Sequence, residues 1–170
     1  MRTSSILSAS ILALLLCSVT AFAQTRTYSD TDKGYTLDLP SPSWAVVQVP
    51  AGAYRHTKFV YGGGGDWRLR IRREMVDRGV PTATLADEEE SELRFLPAYV
   101  KTGQEPFAGR LGGTRFTYEY SDGGRLMAGR TYYLQANRQT VYVLQFAGAR
   151  DRLADLRGEA ESIARSFRLR

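Results

Sequence analysis

Trp67-Arg68-Leu69-Arg70-Ile71-Arg72 alternates apolar and cationic residues without interruption. A period of two belongs to a β-strand, in which successive side chains point to opposite faces. The segment therefore reads as a strand, continuing to Met75, with Trp67, Leu69 and Ile71 turned to a core and Arg68, Arg70 and Arg72 turned away from it.

Tyr54–Tyr61 is a second strand, and Gly62-Gly63-Gly64-Gly65-Asp66 forms the hairpin tip between the two. Further upstream, Pro40 and Pro42 bend the chain into a short strand at Trp44–Val49. Thr27-Tyr28 and Tyr35–Leu39 flank the polar segment Ser29–Gly34, which makes a hairpin with its turn near Lys33-Gly34. Downstream, the sequence predicts a helix over 84–96. Thr84 is placed to cap it, Asp87–Glu90 to complement the positive end of its dipole, and Pro97 to end it. Leu85, Ala86, Leu93 and Leu96 form its apolar side.

Three strands follow as a meander, Arg115–Tyr120, Leu126–Gln135 and Thr140–Ala147. The first puts Phe116, Tyr118 and Tyr120 on one face and Arg115, Thr117 and Glu119 on the other. Ser121-Asp122-Gly123-Gly124 and Ala136-Asn137-Arg138-Gln139 supply the turns. A last helix carries Leu153, Leu156, Ala160, Ile163 and Phe167 at three- and four-residue steps, a single stripe suited to packing on a sheet. This order of strands, helix, strands, helix is that of an α+β domain, with no solenoid repeat, low-complexity tract or dividing linker.

The N-terminus has a different grammar. Arg2 supplies a positive start, an apolar run extends from Ile6 to Phe22, and Ala21-Phe22-Ala23 offers small residues before Gln24. That layout predicts a cleaved secretory signal over 1–23 and a single globular domain over 24–170, sent to the periplasm or beyond. A membrane anchor fits less well, because the run is short of the roughly 20 residues of a span and is diluted by Ser8, Ser10, Ser18 and Thr20. Leu14-Leu15-Leu16-Cys17 departs from a lipobox at Leu16, where a small residue is expected. Removing the first 23 of 170 residues leaves 147 and takes away the only cysteine. A domain of that size packs a core without metal or disulfide. The mature chain has no second apolar segment of membrane length.

All 18 acidic residues lie after the signal, and losing Arg2 leaves 22 of the 23 basic ones. This mild surplus supports weak attraction to anionic surfaces and does not point to nucleic acid. The chemistry-bearing candidates are few. His56 is the sole histidine, lies within a predicted strand, and no G-x-S-x-G elbow occurs in the chain. The carboxylates Asp87–Glu92 lie on a helix rather than on a calcium loop, and read as a solvated helix start. Gly62–Gly65 precede a strand instead of a helix, so they do not form a phosphate loop. Tyr118, Tyr120, Tyr132, Tyr133, Tyr142 and Phe146 read as core and cross-strand packing rather than a stacking platform. No catalytic residue, metal ligand or cofactor site is assigned. Arg68, Arg70 and Arg72 remain: on one side of a strand they either form an anion- or partner-binding stripe or pair with neighbours such as Glu119.

Tyr28-Ser29-Asp30, Gly34-Tyr35-Thr36-Leu37-Asp38-Leu39-Pro40 and Trp44 resemble the opening of PsbP-like and DcrB-like domains. Gly129-Arg130-Thr131-Tyr132-Tyr133, the strand Val141–Phe146 and the helix closing on Ile163-Ala164-Arg165-Ser166-Phe167 are similar to their C-terminal part. The resemblance implies an α/β/α sandwich around a mainly antiparallel sheet. It also implies an interaction or assembly module, since members include a photosystem II extrinsic subunit, a Ran-binding nuclear factor and small bacterial envelope proteins. A shared scaffold does not carry a binding site across. The resulting expectation is an exported, non-enzymatic envelope module that binds a protein or an anionic envelope component. The alternatives are a small-ligand carrier with an aromatic pocket between helix and sheet, and a hydrolase using carboxylates and tyrosine.

The N-terminal reading has a direct check. Intact-mass analysis of the exported protein is expected to find a chain beginning at Gln24. A lipidated chain beginning at Cys17, or one retaining Met1, would overturn the assignment.

Overall fold

The computed structural model describes residues 25–47, 56–63 and 67–170. The expected signal sequence with Cys17, the ends of two predicted strands (Gln48-Val49 and Tyr54-Arg55), and Gly64-Gly65-Asp66 lie outside the described residues. The elements in chain order are β1 (Arg26–Asp30), β2 (Tyr35–Leu39), β3 (Trp44–Val47), β4 (His56–Tyr61), β5 (Trp67–Met75), α1 (Thr82–Leu93), β6 (Val100–Phe107), β7 (Gly113–Asp122), β8 (Arg125–Asn137), β9 (Thr140–Ala149), α2 (Leu153–Ser166) and β10 (Arg168–Leu169). A seven-stranded sheet runs β3-β4-β5-β9-β8-β7-β6, and a three-stranded one runs β1-β2-β10. Every pairing is antiparallel.

Most elements form where the periodicity places them, and the two-residue alternation carries into the packing. On β8, Tyr132 and Leu134 join one apolar cluster while Tyr133 joins another. On β9, Leu144 and Phe146 enter the first cluster, and Val141 and Val143 the second. The first cluster also takes Trp67, Leu69 and Ile71 of β5 and Leu156, Ala160, Ile163 and Ala164 of α2. The second takes Ala86 of α1 with Phe116 and Tyr118 of β7. Tyr118 lies flat over β8, and a Cβ on Gly129 would stand 2.1 Å from its ring, so that close approach requires glycine. The β7–β8 turn needs positive φ at Gly123 (56°) and Gly124 (82°), as a two-residue hairpin loop does.

Three expectations are corrected. The first helix runs from Thr82 to Leu93 instead of 84–96, with Pro81 rather than Thr84 at its N-cap. Its first turn holds no acidic residue, so the carboxylate run does not complement the dipole there. The second correction is a strand absent from the sequence reading, β6, which pairs with β7 through a bulge between Lys101 and Gly103. Its Gly103 and Pro106 break the usual strand signature, and both are tolerated because β6 is an edge strand. Third, β10 adds two residues beside β2 after the last helix.

The C-terminal stripe packs as its spacing predicts, although Phe167 stands just past the helix with extended backbone. Its ring is fully buried, stacked on Tyr35 (centroids 5.0 Å apart, planes at 24°) and 5.0 Å from Tyr142. Phe167→Ala is expected to lower stability by about 3–5 kcal/mol in denaturant melts. A loss under about 0.5 kcal/mol, the range of surface substitutions, would show that the ring does not anchor α2.

Candidate functional site: the uncovered face of β4 and β5

Strand β5 lies between β4 and β9. The apolar half of its alternation is sealed: Trp67, Leu69 and Ile71 are buried. The arginine half lies on the other face, where α1 makes its main contacts with β6, β7 and β8 and reaches β5 through Glu89 and Arg72. Arg68 and Arg70 are accordingly exposed.

The register places Arg68 between Val60 and Ala147, and Arg70 between Lys58 and Gln145. No carboxylate stands directly opposite either arginine. Lys58 directly across from Arg70 is a like-charge pair, which costs rather than stabilises. Among the described residues, Lys58, Arg68 and Arg70 make no ion pair. The expected pairing to Glu119 does not occur, because Glu119 sits on β7, three strands away, and binds Arg150 at 2.9 Å.

Arg72 has a different role. Its Nε donates to Glu74, and its Nη2 donates to Glu89 Oε2 at 3.2 Å. Burial would depress its pKa, but the two carboxylates outweigh that and hold the guanidinium above its ordinary range. Two of the three stripe arginines thus stand free in solvent, and the third ties the sheet to α1.

Glu89 is the hub of that tie. It accepts from Tyr133 Oη at 2.6 Å and, at 3.2 Å each, from Thr131 Oγ1, Gln145 Nε2 and Arg72 Nη2. Burial pushes the Tyr133 hydroxyl strongly up, and the Glu89 charge pushes it further, so it stays a donor. The next residue, buried Glu90, accepts from Arg94 Nη2 at 3.0 Å and Lys101 Nζ at 2.7 Å. The carboxylate run is therefore not a solvated helix start, because two of its members are buried connectors in mid-helix. The sequence holds a signal for this that the reading above missed. Ala86, Glu89, Glu90 and Leu93 share one three- and four-residue stripe, so the apolar side of the helix carries two acids.

His56 pairs through its backbone with Arg72 in the β4–β5 ladder. Among the described residues, no group of three or more His, Cys, Asp or Glu stands where it could hold a metal ion. The aromatic strand residues pack against each other: Tyr132 and Phe146 meet edge to face at 5.9 Å, and Tyr118 stacks on Phe116 at 5.3 Å. The concavity between α2 and the sheet is lined mainly by charged and small residues, with Tyr118 its one aromatic, so it is not the aromatic pocket of the small-ligand alternative.

No family model matches the sequence, and none of the curated proteins is similar to it. Solved structures do match. The chain superposes on PsbP (CyanoP) of the cyanobacterium Synechocystis sp. over 92% of its own length and 99% of that protein, with a TM-score of 0.59 at 18% identity. The fold is PsbP-like. It is shared by LpqN of Mycobacterium tuberculosis, a protein involved in cell envelope biogenesis (TM-score 0.56, 21% identity, 85% of this chain and 89% of LpqN). It is also shared by the Ran-binding protein Mog1p of Saccharomyces cerevisiae (TM-score 0.60, 10% identity, 86% of this chain and 96% of Mog1p). Identities this low transfer the PsbP-like fold and no site residue.

The Glu89 hub can be tested in the folded protein. Glu89→Ala strands four donors at a mostly buried position and is expected to cost about 3 kcal/mol. Glu88→Ala, on the exposed side of the same helix, should cost no more than about 0.5 kcal/mol. Equal urea midpoints for the two variants would remove Glu89 from the role assigned to it.

Proposed function

We propose that this chain is an exported envelope module, a single domain over 24–170 freed from a signal at 1–23, that binds a partner rather than transforming a substrate. The PsbP-like fold supports an interaction or accessory role. Among its structural neighbours, one is Ran-binding and another is involved in cell envelope biogenesis. We read the arrangement as an α/β/α sandwich, supported by the split of β8 and β9 between two apolar clusters, one with each helix. Among the described residues, no helix is long and apolar enough to cross a membrane.

The observation that carries the binding reading is the uncompensated cationic strip of Lys58, Arg68 and Arg70. A sheet gains nothing from Lys58 facing Arg70, and an incoming acidic surface would relieve that repulsion. The partner is accordingly a protein or envelope component with clustered carboxylates or phosphates, which guanidinium groups grip in bidentate fashion. Each exposed pair is worth only about 0–1 kcal/mol, so affinity comes from several acting together and weakens with salt. Of the expected stripe, Arg72 is left out of the binding strip, because it is engaged by Glu74 and Glu89.

The test uses the purified chain against envelope extract and against phosphatidylglycerol vesicles across a salt series. Lys58→Gln, Arg68→Gln and Arg70→Gln together are expected to weaken capture and flatten its salt dependence, with the melting midpoint unchanged or slightly raised by loss of the Lys58–Arg70 repulsion. Arg72→Gln should instead lower the midpoint, because it removes a donor to Glu89. Unchanged capture per folded molecule in the triple variant would rule out this face.

A further inference from the structure

On the other side of the sheet, a groove of about 610 Å³ runs between α2 and strands β6–β8. That is the size of a small-molecule site, which typically spans roughly 300–1,000 Å³. It continues into a second hollow that shares Glu119, Leu153, Ala154 and Arg157 with it. The groove is open because α2 presents Ala154 and Gly158 to it, one turn apart. A Cβ added at Gly158 would meet nothing within 4 Å.

The charges along it are not evenly satisfied. Every carboxylate is taken: Glu105 by Arg115, Glu119 by Arg150, and Glu161 by Arg115 at 3.0 Å and Arg165 at 2.8 Å, with Tyr132 Oη donating to it at 3.0 Å. Burial would raise the Glu161 pKa, but these donors outweigh it and hold the carboxyl below the ordinary glutamate range. The arginines are not matched in the same way. Arg130 projects from β8 with 9% of its side chain exposed, yet its Nε has no acceptor. Its Nη1 donates only to Tyr132 Oη at 3.3 Å and lies 3.9 Å from the already engaged Glu161. A buried guanidinium without a carboxylate of its own is costly unless something supplies one. Arg157, on the helix wall, makes no ion pair among the described residues.

We infer that this groove binds a small organic dicarboxylate, one carboxylate taken by Arg130 at the floor, the other by Arg157 at the wall, and the carbon skeleton lying along Ala154 and Leu153. This site is separate from the strip of Lys58, Arg68 and Arg70, and the inference does not depend on the reading of that strip. Arg130, whose one carboxylate neighbour at 3.9 Å is already engaged, and Arg157 set the ligand charge, and the room beside Ala154 and Gly158 admits its carbon skeleton. No bond is made or broken, so the site stores or senses its ligand.

Isothermal titration of the purified chain with succinate, citrate and inorganic phosphate at low ionic strength tests this. Succinate or citrate is expected to bind with a Kd below about 1 mM. Arg157→Gln should weaken that binding at least about tenfold, a change of roughly 1.4 kcal/mol. Gly158→Leu should abolish it by filling the groove while leaving α2 at least as stable, since leucine favours a helix over glycine by nearly 1 kcal/mol. The variant Arg68→Gln with Arg70→Gln should bind as the parent does. The inference fails if neither dicarboxylate nor tricarboxylate binds by about 10 mM, if phosphate binds as tightly as succinate, or if binding survives Gly158→Leu. It fails equally if the Arg68 and Arg70 substitutions, rather than Arg157→Gln, remove it.

Discussion

Strands β8 and β9 are buried along most of their length, and almost every residue in them must satisfy one of two packing environments. Adjacent residues part company: Tyr132 meets Phe107 and Phe146, while Tyr133 reaches the carboxylate of α1. A slip of one residue in either strand would exchange its two sets, and in β8 it would also put Arg130 and Thr131 on the wrong sides. The rest of the sheet is built outward from this pair. On one flank β5 continues the alternation with one face left in water, and on the other β7 and the polar edge strand β6 close it.

Each helix is fastened to the sheet by a glutamate as well as by apolar contacts. Glu89 gathers donors from β5, β8 and β9 under α1, and Glu161 gathers Arg115, Tyr132 and Arg165 under α2. A carboxylate held by several donors adds directionality that apolar burial lacks, since its lone pairs are satisfied in only one helix placement. The apolar contact of α1 is thin, with Ala86 its one fully buried apolar residue, so the orientation of that helix rests heavily on Glu89 and Glu90. For α2 the apolar stripe is broad, and Glu161 instead leaves Arg130 without a full partner.

Two surfaces of opposite character result. The face beside α1 is flat, open and cationic, as suits a macromolecular partner whose contacts add up weakly and respond to salt. The groove beside α2 is concave and lined by paired carboxylates around Arg130, which has only a distant share of Glu161, and Arg157, which has no ion pair among the described residues. The PsbP-like scaffold permits both, because α1 makes its main contacts with β6–β8 and leaves Arg68 and Arg70 exposed, and α2 carries Ala154 and Gly158 where it lines the groove.

Much of the fold was legible in the chain because alternation and helical stripes report burial directly. Trp67–Arg72, Arg115–Tyr120 and the residues from Leu153 to Phe167 were assigned to the faces they occupy. Strand β6 was not legible, since Gly103 and Pro106 erase its local signature and only the unpaired edge of β7 creates a place for it. The partners of the charged residues were also out of reach. Period two puts Arg68, Arg70 and Arg72 on one side, but strand order decides that Glu119 is three strands away and that only Arg72 reaches Glu89. Side-chain direction is a property of local backbone geometry, so the sequence determined it alone. Which charge meets which depends on how distant strands are ordered and where a helix ends, and only the tertiary structure decided that.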